Sequence, residues 1–203
     1  GTFYEAIWDT GGTDTISYAG SDTVTIDLHA ATLDAADGRL AGGGISKPTG
    51  IYGGFTIANG VVIENAIAGS GDDIVRGNAA DNILDGGAGS DYLGYEYATG
   101  AVAVYLSRGY ASGADGNDAL LGFEQVGGSE YDDLFVVGTD TVYVSGRGGD
   151  DTISFEDIGA AVAVDLGYVG VVGGSATGGV NLSDIWMIEN VIGTAFDDTI
   201  TGD

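Results

Sequence analysis

The chain has 203 residues with 31 acidic against 5 basic side chains, a formal net charge of −26, and yet a positive mean hydropathy of +0.17. This balance repels nucleic acid and anionic membrane surfaces, and the five cations (Arg39, Lys47, Arg76, Arg108, Arg147) are too dispersed to make a phosphate-binding patch. No apolar run approaches the roughly 20 residues that span a bilayer, and the absence of cysteine excludes disulfides, leaving bound cations as the staple available to an exported protein.

The first predicted element is a glycine turn, DTGGTD, from Asp9 to Asp14, leading into a strand that points Ile16 inward. Trp8 before it, like Trp186 later, is read as capping or filling the core, and Gly1 does not begin a signal peptide. Asp14 to Tyr18 with Val24, Ile26 and Leu28 forms the first half of a long repeat. An insert at 29–56 follows, with His29 at its edge expected as a solvated or hydrogen-bonded structural residue.

The second half of the repeat opens at Ile63 with IENAIAGSGDDI and sets a beat of nine, Glu64 to Asp73 to Asn82 to Asp91. Its turns are AGSGDD (68–73), GNAADN (77–82) and GGAGSDYL (86–93), the last reading G-G-x-G-x-D-x-U with U apolar. Asp91 to Tyr95 with Val102, Val104 and Leu106 restarts the first half; an insert at 107–115 and FEQVGGSEYDDL from Phe123 complete it, with Glu124 leading to Asp133, Val142 and Asp151. The third copy runs through GRGGDD (146–151), Asp151 to Phe155 with Val162, Val164 and Leu166, an insert at 167–181, and IENVIGTAFDDT from Ile188, where Glu189 leads to Asp198.

Two residues after each phased position stand Ile16, Ala66, Val75, Leu84, Leu93, Val126, Phe135, Val144, Ile153, Val191 and Ile200, all apolar. Their immediate predecessors are mixed, as alternating strand faces require. A disordered linker would not hold that register. The chain is therefore read as one domain, 1–203, in three units (1–85, 86–145, 146–203) whose inserts leave the stack as loops or strands. Its charge keeps such a core open until divalent cations neutralise it, so folding is expected to be coupled to calcium, which takes six to eight oxygen ligands.

The stretches IWDTGGTDTISY (7–18) and VVIENAIAGSGDDIVRGNAADNILDGGAGSDYL (61–93) resemble the C-terminal calcium-binding domain of serralysin-type metalloproteases, and the remainder resembles the repeats-in-toxin (RTX) class. The resemblance implies an all-β fold, a calcium-binding parallel β-roll (right-handed solenoid) with several Ca2+ ions between turns. It also implies passage through type I secretion machinery to an extracellular location, as part of a larger secreted protein such as a serralysin-like protease without its catalytic domain. Carried over residue by residue, the ligands would be Asp9, Gly11, Gly12 and Asp14 in the first turn, with Asp14 and Gly12 sharing an ion with Glu64 and Val62. Gly69, Gly71 and Asp73 would face Gly86, Ala88 and Asp91, while Asn78, Ala80 and Asn82 make a weaker turn. Gly89 and Asp91 would pair with Glu124; Ser129, Tyr131 and Asp133 with Gly146, Gly148 and Asp151; and Gly149 and Asp151 with Glu189. Thr194, Phe196 and Asp198 form half a site, Tyr131 and Phe196 stand where the repeat prefers glycine, and the Val142 turn is not expected to hold metal.

Enzyme readings lack residues. The adjacent pairs Asp72-Asp73, Asp132-Asp133, Asp150-Asp151 and Asp197-Asp198 point to opposite faces of an extended segment, so they cannot flank one glycosidic bond. One histidine and no cysteine support neither a zinc-protease HExxH nor a nucleophile triad. The alternatives are a polysaccharide lyase or epimerase using Asp34, Asp37 and Arg39 of the 29–56 insert, and an adhesin module binding glycan or protein through that insert.

Overall fold

A computed structural model describes residues 4–38, 40–167 and 173–202; Gly1, Arg39 and the middle of the third insert lie outside the described residues. Beside a separate two-stranded sheet that pairs Tyr4–Ile7 with Gly54–Ile57, two large sheets carry most of the chain. The first, of nine strands, runs in spatial order Thr15–Ser17, Asn65–Ile67, Ile83–Asp85, Gly116–Leu121, Tyr110–Gly113, Val102–Tyr105, Leu134–Val136, Thr152–Ser154 and Asn190–Ile192. The second, of ten, runs Thr199–Thr201, Val162–Asp165, Gly174–Gly178, Leu182–Trp186, Tyr143–Ser145, Gln125–Gly127, Tyr92–Gly94, Ile74–Arg76, Val24–Asp27 and Lys47–Pro48. Among the described residues only Leu106–Arg108 is helical, as a short 3-10 turn. The fold is all-β with parallel strands, the β-roll that the family resemblance implied.

Each strand of the regular part has three residues because six of every nine are spent on the turn. Only the middle residue faces inward, and parallel pairing stacks these residues in columns: Ile16, Ala66, Leu84 and Leu120 in the first sheet, Ile26, Val75, Leu93, Val126, Val144 and Ile185 in the second. Ala66, Val75, Leu84, Leu93, Val126, Phe135, Val144 and Ile153 have no exposure at all. At about 1.5–3 kcal/mol for each fully buried large aliphatic side chain, these columns are the main apolar term holding the coils together. Two expectations fail at the margins. Ile200 is 49% exposed because its strand pairs on one side only, with Val162–Asp165. Trp8 is 76% exposed and fills nothing, whereas Trp186 is partly buried, its ring lying over Gly173.

The second and third inserts stay within the large sheets, while the first, apart from Lys47–Pro48, leaves them as a loop and a separate strand pair. The second runs antiparallel through Val102–Tyr105, Tyr110–Gly113 and Gly116–Leu121 before its last strand rejoins the parallel stack beside Ile83–Asp85. The third repeats this with Val162–Asp165, Gly174–Gly178 and Leu182–Trp186, rejoining beside Tyr143–Ser145. The first uses Val24–Asp27, Lys47–Pro48 and Gly54–Ile57, the last pairing with Tyr4–Ile7. An odd number of half-coils separates successive copies, so equivalent strands starting at Val24, Val102 and Val162 fall in the second, first and second sheet in turn. Equivalent turns therefore alternate between the two edges of the roll.

Candidate metal centres

At each edge the residue that begins a strand donates its N–H to the carboxylate one layer further on. Val24 donates to Asp73 Oδ1 (2.7 Å), Asp73 to Asp91 Oδ1 (2.7 Å) and Asp91 to Glu124 Oε2 (2.9 Å). The same four rungs recur as Val102 to Asp133 (2.8 Å), Asp133 to Asp151 (2.7 Å) and Asp151 to Glu189 (2.8 Å). Parts of the ladder appear at either end: Asp14 donates to Glu64 Oε2 (2.8 Å), and Val162 to Asp198 Oδ1 (2.9 Å). A valine opens each complete ladder and a glutamate closes it.

The rungs differ in what remains unsatisfied. On the second rung, the other oxygen of Asp73, Asp133 and Asp198 accepts an N–H of its own turn, from Gly69 (2.9 Å), Ser129 (2.5 Å) and Thr194 (2.6 Å). On the third rung, Oδ2 of Asp14, of Asp91 and of Asp151 is buried with no hydrogen-bond partner. A buried carboxylate oxygen without a donor costs several kcal/mol unless a cation completes it. Burial pushes Asp91 up to about 6, with the charges of Asp73 and Glu124 adding to it against the N–H of Asp73; burial likewise pushes Asp151 up to about 7, helped by Asp133 and Glu189. Asp14 is raised by burial and by the neighbouring Asp9, which Gly11 N–H (2.6 Å) holds low.

Among the described residues no three acidic or imidazole side chains converge on one point, so an ion here must draw on main-chain carbonyls. The turns supply them by stacking. A methyl group on Gly89 would lie 2.1 Å from Gly71 O, on Gly86 2.2 Å from Gly122 O, and on Gly149 2.7 Å from Tyr131 O. Ala88 N–H donates to Gly69 O (3.1 Å) and Gly148 N–H to Ser129 O (3.4 Å). Gly11, Gly12, Gly89 and Gly149 all hold positive φ, which glycine alone adopts at no steric cost. Arg147 does so too, at 77°, in the position that Gly87 occupies one unit earlier. The donor set of carboxylates and carbonyls, with no sulfur or imidazole, is that of a hard divalent cation.

The structure thus brings together Asp14 with Glu64, Asp73 with Asp91 and Glu124, and Asp133 with Asp151 and Glu189. Tyr131 (48% exposed) and Phe196 (53%) turn their rings outward, and the hydroxyls of Ser129 and Thr194 bond to Asp133 and Asp198 from within those turns. The Val142 turn is closed by Thr141 Oγ, which accepts Gly138 N–H (3.0 Å). Val62 is half-exposed beside Glu64.

One layer escaped the sequence reading. The residues GADGNDALL from Gly113 match G-x-x-G-x-D-x-U, and Asp118 lies 27 residues, three beats, after Asp91. An insert drawn at 107–115 cuts this repeat in two. Its turn stacks on 77–82: Asn82 N–H donates to Asp118 Oδ1 (3.0 Å), and Gly116 sits against Ala80 O. The side chains of Asn78, Asn82 and Asp118 in this layer are satisfied internally. Tyr95 donates its hydroxyl to Asp118 Oδ2 (2.8 Å), Asn82 Nδ2 donates to Asn78 Oδ1 (3.1 Å), and Asn78 Nδ2 to the carbonyls of Ile63 (2.8 Å) and Leu28 (3.2 Å). Burial still pushes Asp118 up to about 7. Asp34 and Asp37, the carboxylates of the enzyme alternative, accept N–H groups of their own loop, from Ala36 and Leu40 (both 2.9 Å).

Residues 3–146 match the family model described as peptidase M10 serralysin C terminal, and 187–203 match the RTX calcium-binding nonapeptide repeat. Among curated relatives, a serralysin of Photorhabdus laumondii is 41% identical over 78 residues, 38% of this chain and 14% of that protein. A serralysin of Proteus mirabilis is 40% identical over 80 residues and the metallopeptidase AprA of Pseudomonas marginalis 35% over 80, each match covering 39% of this chain and 14% of the relative. The matched stretch thus spans about one seventh of these relatives' length.

Proposed function

Because the chain belongs to the peptidase M10 serralysin C-terminal family and carries calcium-binding RTX repeats, we propose that its third-rung aspartates are the keystones of calcium sites that close the roll once its parent protein has been exported. The chain is a calcium-binding structural module of RTX type, and no helix among the described residues is long and apolar enough to cross a membrane. The observation that carries the proposal is the threefold recurrence of a buried, partnerless Oδ2 at Asp14, Asp91 and Asp151.

The ligands we assign are these. Asp9, Gly11, Gly12 and Asp14 with Val62 and Glu64 serve the first site. Gly69, Gly71 and Asp73 with Gly86, Ala88 and Asp91, and then Gly89 and Asp91 with Glu124, serve the next pair. Ser129, Tyr131 and Asp133 with Gly146, Gly148 and Asp151, and Gly149 and Asp151 with Glu189, repeat that pair. Asp198 supplies half a site, and Asn78, Ala80 and Asn82 rank last because their turn is closed by its own amides. Calcium would supply charge and a coordination shell, while the chain's part is to aim carbonyls and deprotonated carboxylates at one point.

We further read the three units, 1–85, 86–145 and 146–203, as copies in one domain, supported by the repeated valine-to-glutamate ladder. Export by type I machinery, an extracellular location, and a metalloprotease parent with further domains are supported by the serralysin relatives. Circular dichroism in chelator and then in millimolar calcium tests the reading. It requires β structure to appear cooperatively with calcium; a full β spectrum in chelator overturns it.

A further inference from the structure

Beside the turn at 113–118, the sole histidine of the chain lies in a buried polar pocket between the first insert and the tip of the second. His29 is 9% exposed, and its Nδ1 lies 2.8 Å from Asp27 Oδ1. A carboxylate can only accept there, so Nδ1 carries the proton and a neutral ring leaves Nε2 with a free lone pair. That Nε2 is buried and has no partner. It faces Asp115 Oδ2 at 4.0 Å, and that oxygen is also buried and partnerless in a side chain only 5% exposed. Tyr97 meets the imidazole edge-on at 5.1 Å and fixes its plane.

The separation is too long for a hydrogen bond, and the charge around it does not balance. Asp27, Glu96 and Asp115 are all at most 7% exposed, and the neighbouring cation is Arg76, bonded to Glu96 (2.5 Å) and 4.0 Å from Asp27. Burial raises Asp115, with the charge of Asp27 adding to it. Bonds of about 2.0–2.1 Å from zinc to imidazole nitrogen and about 2.0–2.2 Å to carboxylate oxygen set at a tetrahedral angle hold the two atoms about 3.4 Å apart, so a side-chain rotation of roughly half an ångström closes the 4.0 Å gap onto an ion. An imidazole held through its other nitrogen by a carboxylate is also the usual arrangement behind a metal-bound histidine.

We propose that His29 Nε2 and Asp115 Oδ2 bind a divalent transition-metal ion, for which Zn2+ is the best-matched probe, with Asp27 as a positioning residue. Imidazole nitrogen selects such an ion over calcium, which takes oxygen. No third acidic or imidazole side chain joins the pair among the described residues, so water or carbonyl oxygen completes the shell. Bound there, the ion would tie the first insert to the tip of the second.

The single histidine makes the test clean. In the calcium-saturated chain, where failure of the calcium assignment would show separately as failure to fold, Zn2+ is titrated while the imidazole nitrogens are followed by NMR. The proposal requires a large shift at Nε2, with Nδ1 still protonated, at about one equivalent. His29→Gln should abolish the tight site, Asp115→Asn should weaken it at least about tenfold, and Asp27→Asn should weaken it roughly 10–100-fold. An unmoved Nε2, or equal zinc binding by the wild type and His29→Gln, overturns it. So does an imidazole carrying protons on both nitrogens in the presence of zinc at neutral pH, since a proton would then occupy the ion's place. If His29→Gln does not fold, the wild-type nitrogen signal decides alone.

Discussion

The layer Asp73–Asp91–Glu124 and the layer Asn82–Asp118 have the same backbone geometry on opposite edges of the roll, with N–H to carboxylate bonds of 2.7–3.0 Å in both. They differ in chemistry. In the first, the turn residue is a carboxylate and the next Oδ2 has no partner; in the second it is an amide, and a tyrosine hydroxyl satisfies Asp118. The RTX turn is thus a scaffold that can be closed in two ways, by a cation or by neutral hydrogen bonds. On the proposed assignment, whether the turn ends on a carboxylate, as at Asp73, or on an amide, as at Asn82, distinguishes the two.

Several substitutions would break or sharpen this contrast. The largest effect is expected from Asp91→Ala or Asp151→Ala, which removes a third-rung carboxylate and strands the N–H of Asp73 or Asp133. Losing one such buried partner costs about 1–3 kcal/mol, or roughly 10–100-fold in calcium affinity. Asn82→Ala should change that affinity several times less; calorimetric titration that ranks them the other way refutes the distinction. Next, Asn82→Asp should convert the neutral layer towards the charged kind, raising calcium stoichiometry by one and weakening the metal-free fold. An unchanged stoichiometry would show that more than the carboxylate is missing there.

Acidity should act on the charged layers in opposite directions with and without metal. Asp91 and Asp151 hold protons up to about 6 and about 7 when folded, against about 4 for a free aspartate. The metal-free folded state therefore binds more protons than the unfolded state, and its stability falls as pH rises from about 4 to 7. In chelator, β content should increase on acidification from pH 8 to 5, whereas calcium affinity should fall over the same range because the ligands must be deprotonated. Metal-free β content that is flat with pH would argue against burial of these groups. The smallest effect is expected at Arg147, whose φ of 77° is strained for a residue with a side chain. Arg147→Gly should stabilise the calcium-bound fold by about 1 kcal/mol in denaturant melts.

Much of this was legible in the sequence because a nine-residue period ties each ligand to an inward-facing apolar residue two positions later. The column through Val75 and Leu93 follows from that phase, and the pairing of Asp91 with Glu124 from the family resemblance and the repetition of the unit. The inserts broke it. GADGNDALL keeps the phase, yet it sits behind a hairpin that reverses the chain, so an insert drawn by composition runs through its turn. The meeting of His29 with Asp115 was illegible for another reason: it depends on two inserts meeting, and no local spacing records a contact between residues so far apart. Trp8 was misjudged because a large apolar ring is read as core unless its position in the stack is known.

The most direct test of the account is a crystal structure of the calcium-loaded chain with the ions located by anomalous scattering. The account predicts ions at about 2.3–2.6 Å from Oδ2 of Asp14, Asp91 and Asp151, with turn carbonyls completing each shell and no ion between Asn82 and Asp118. Calcium absent from all three third-rung oxygens, or bound at the Asn82 layer in preference to them, would contradict it.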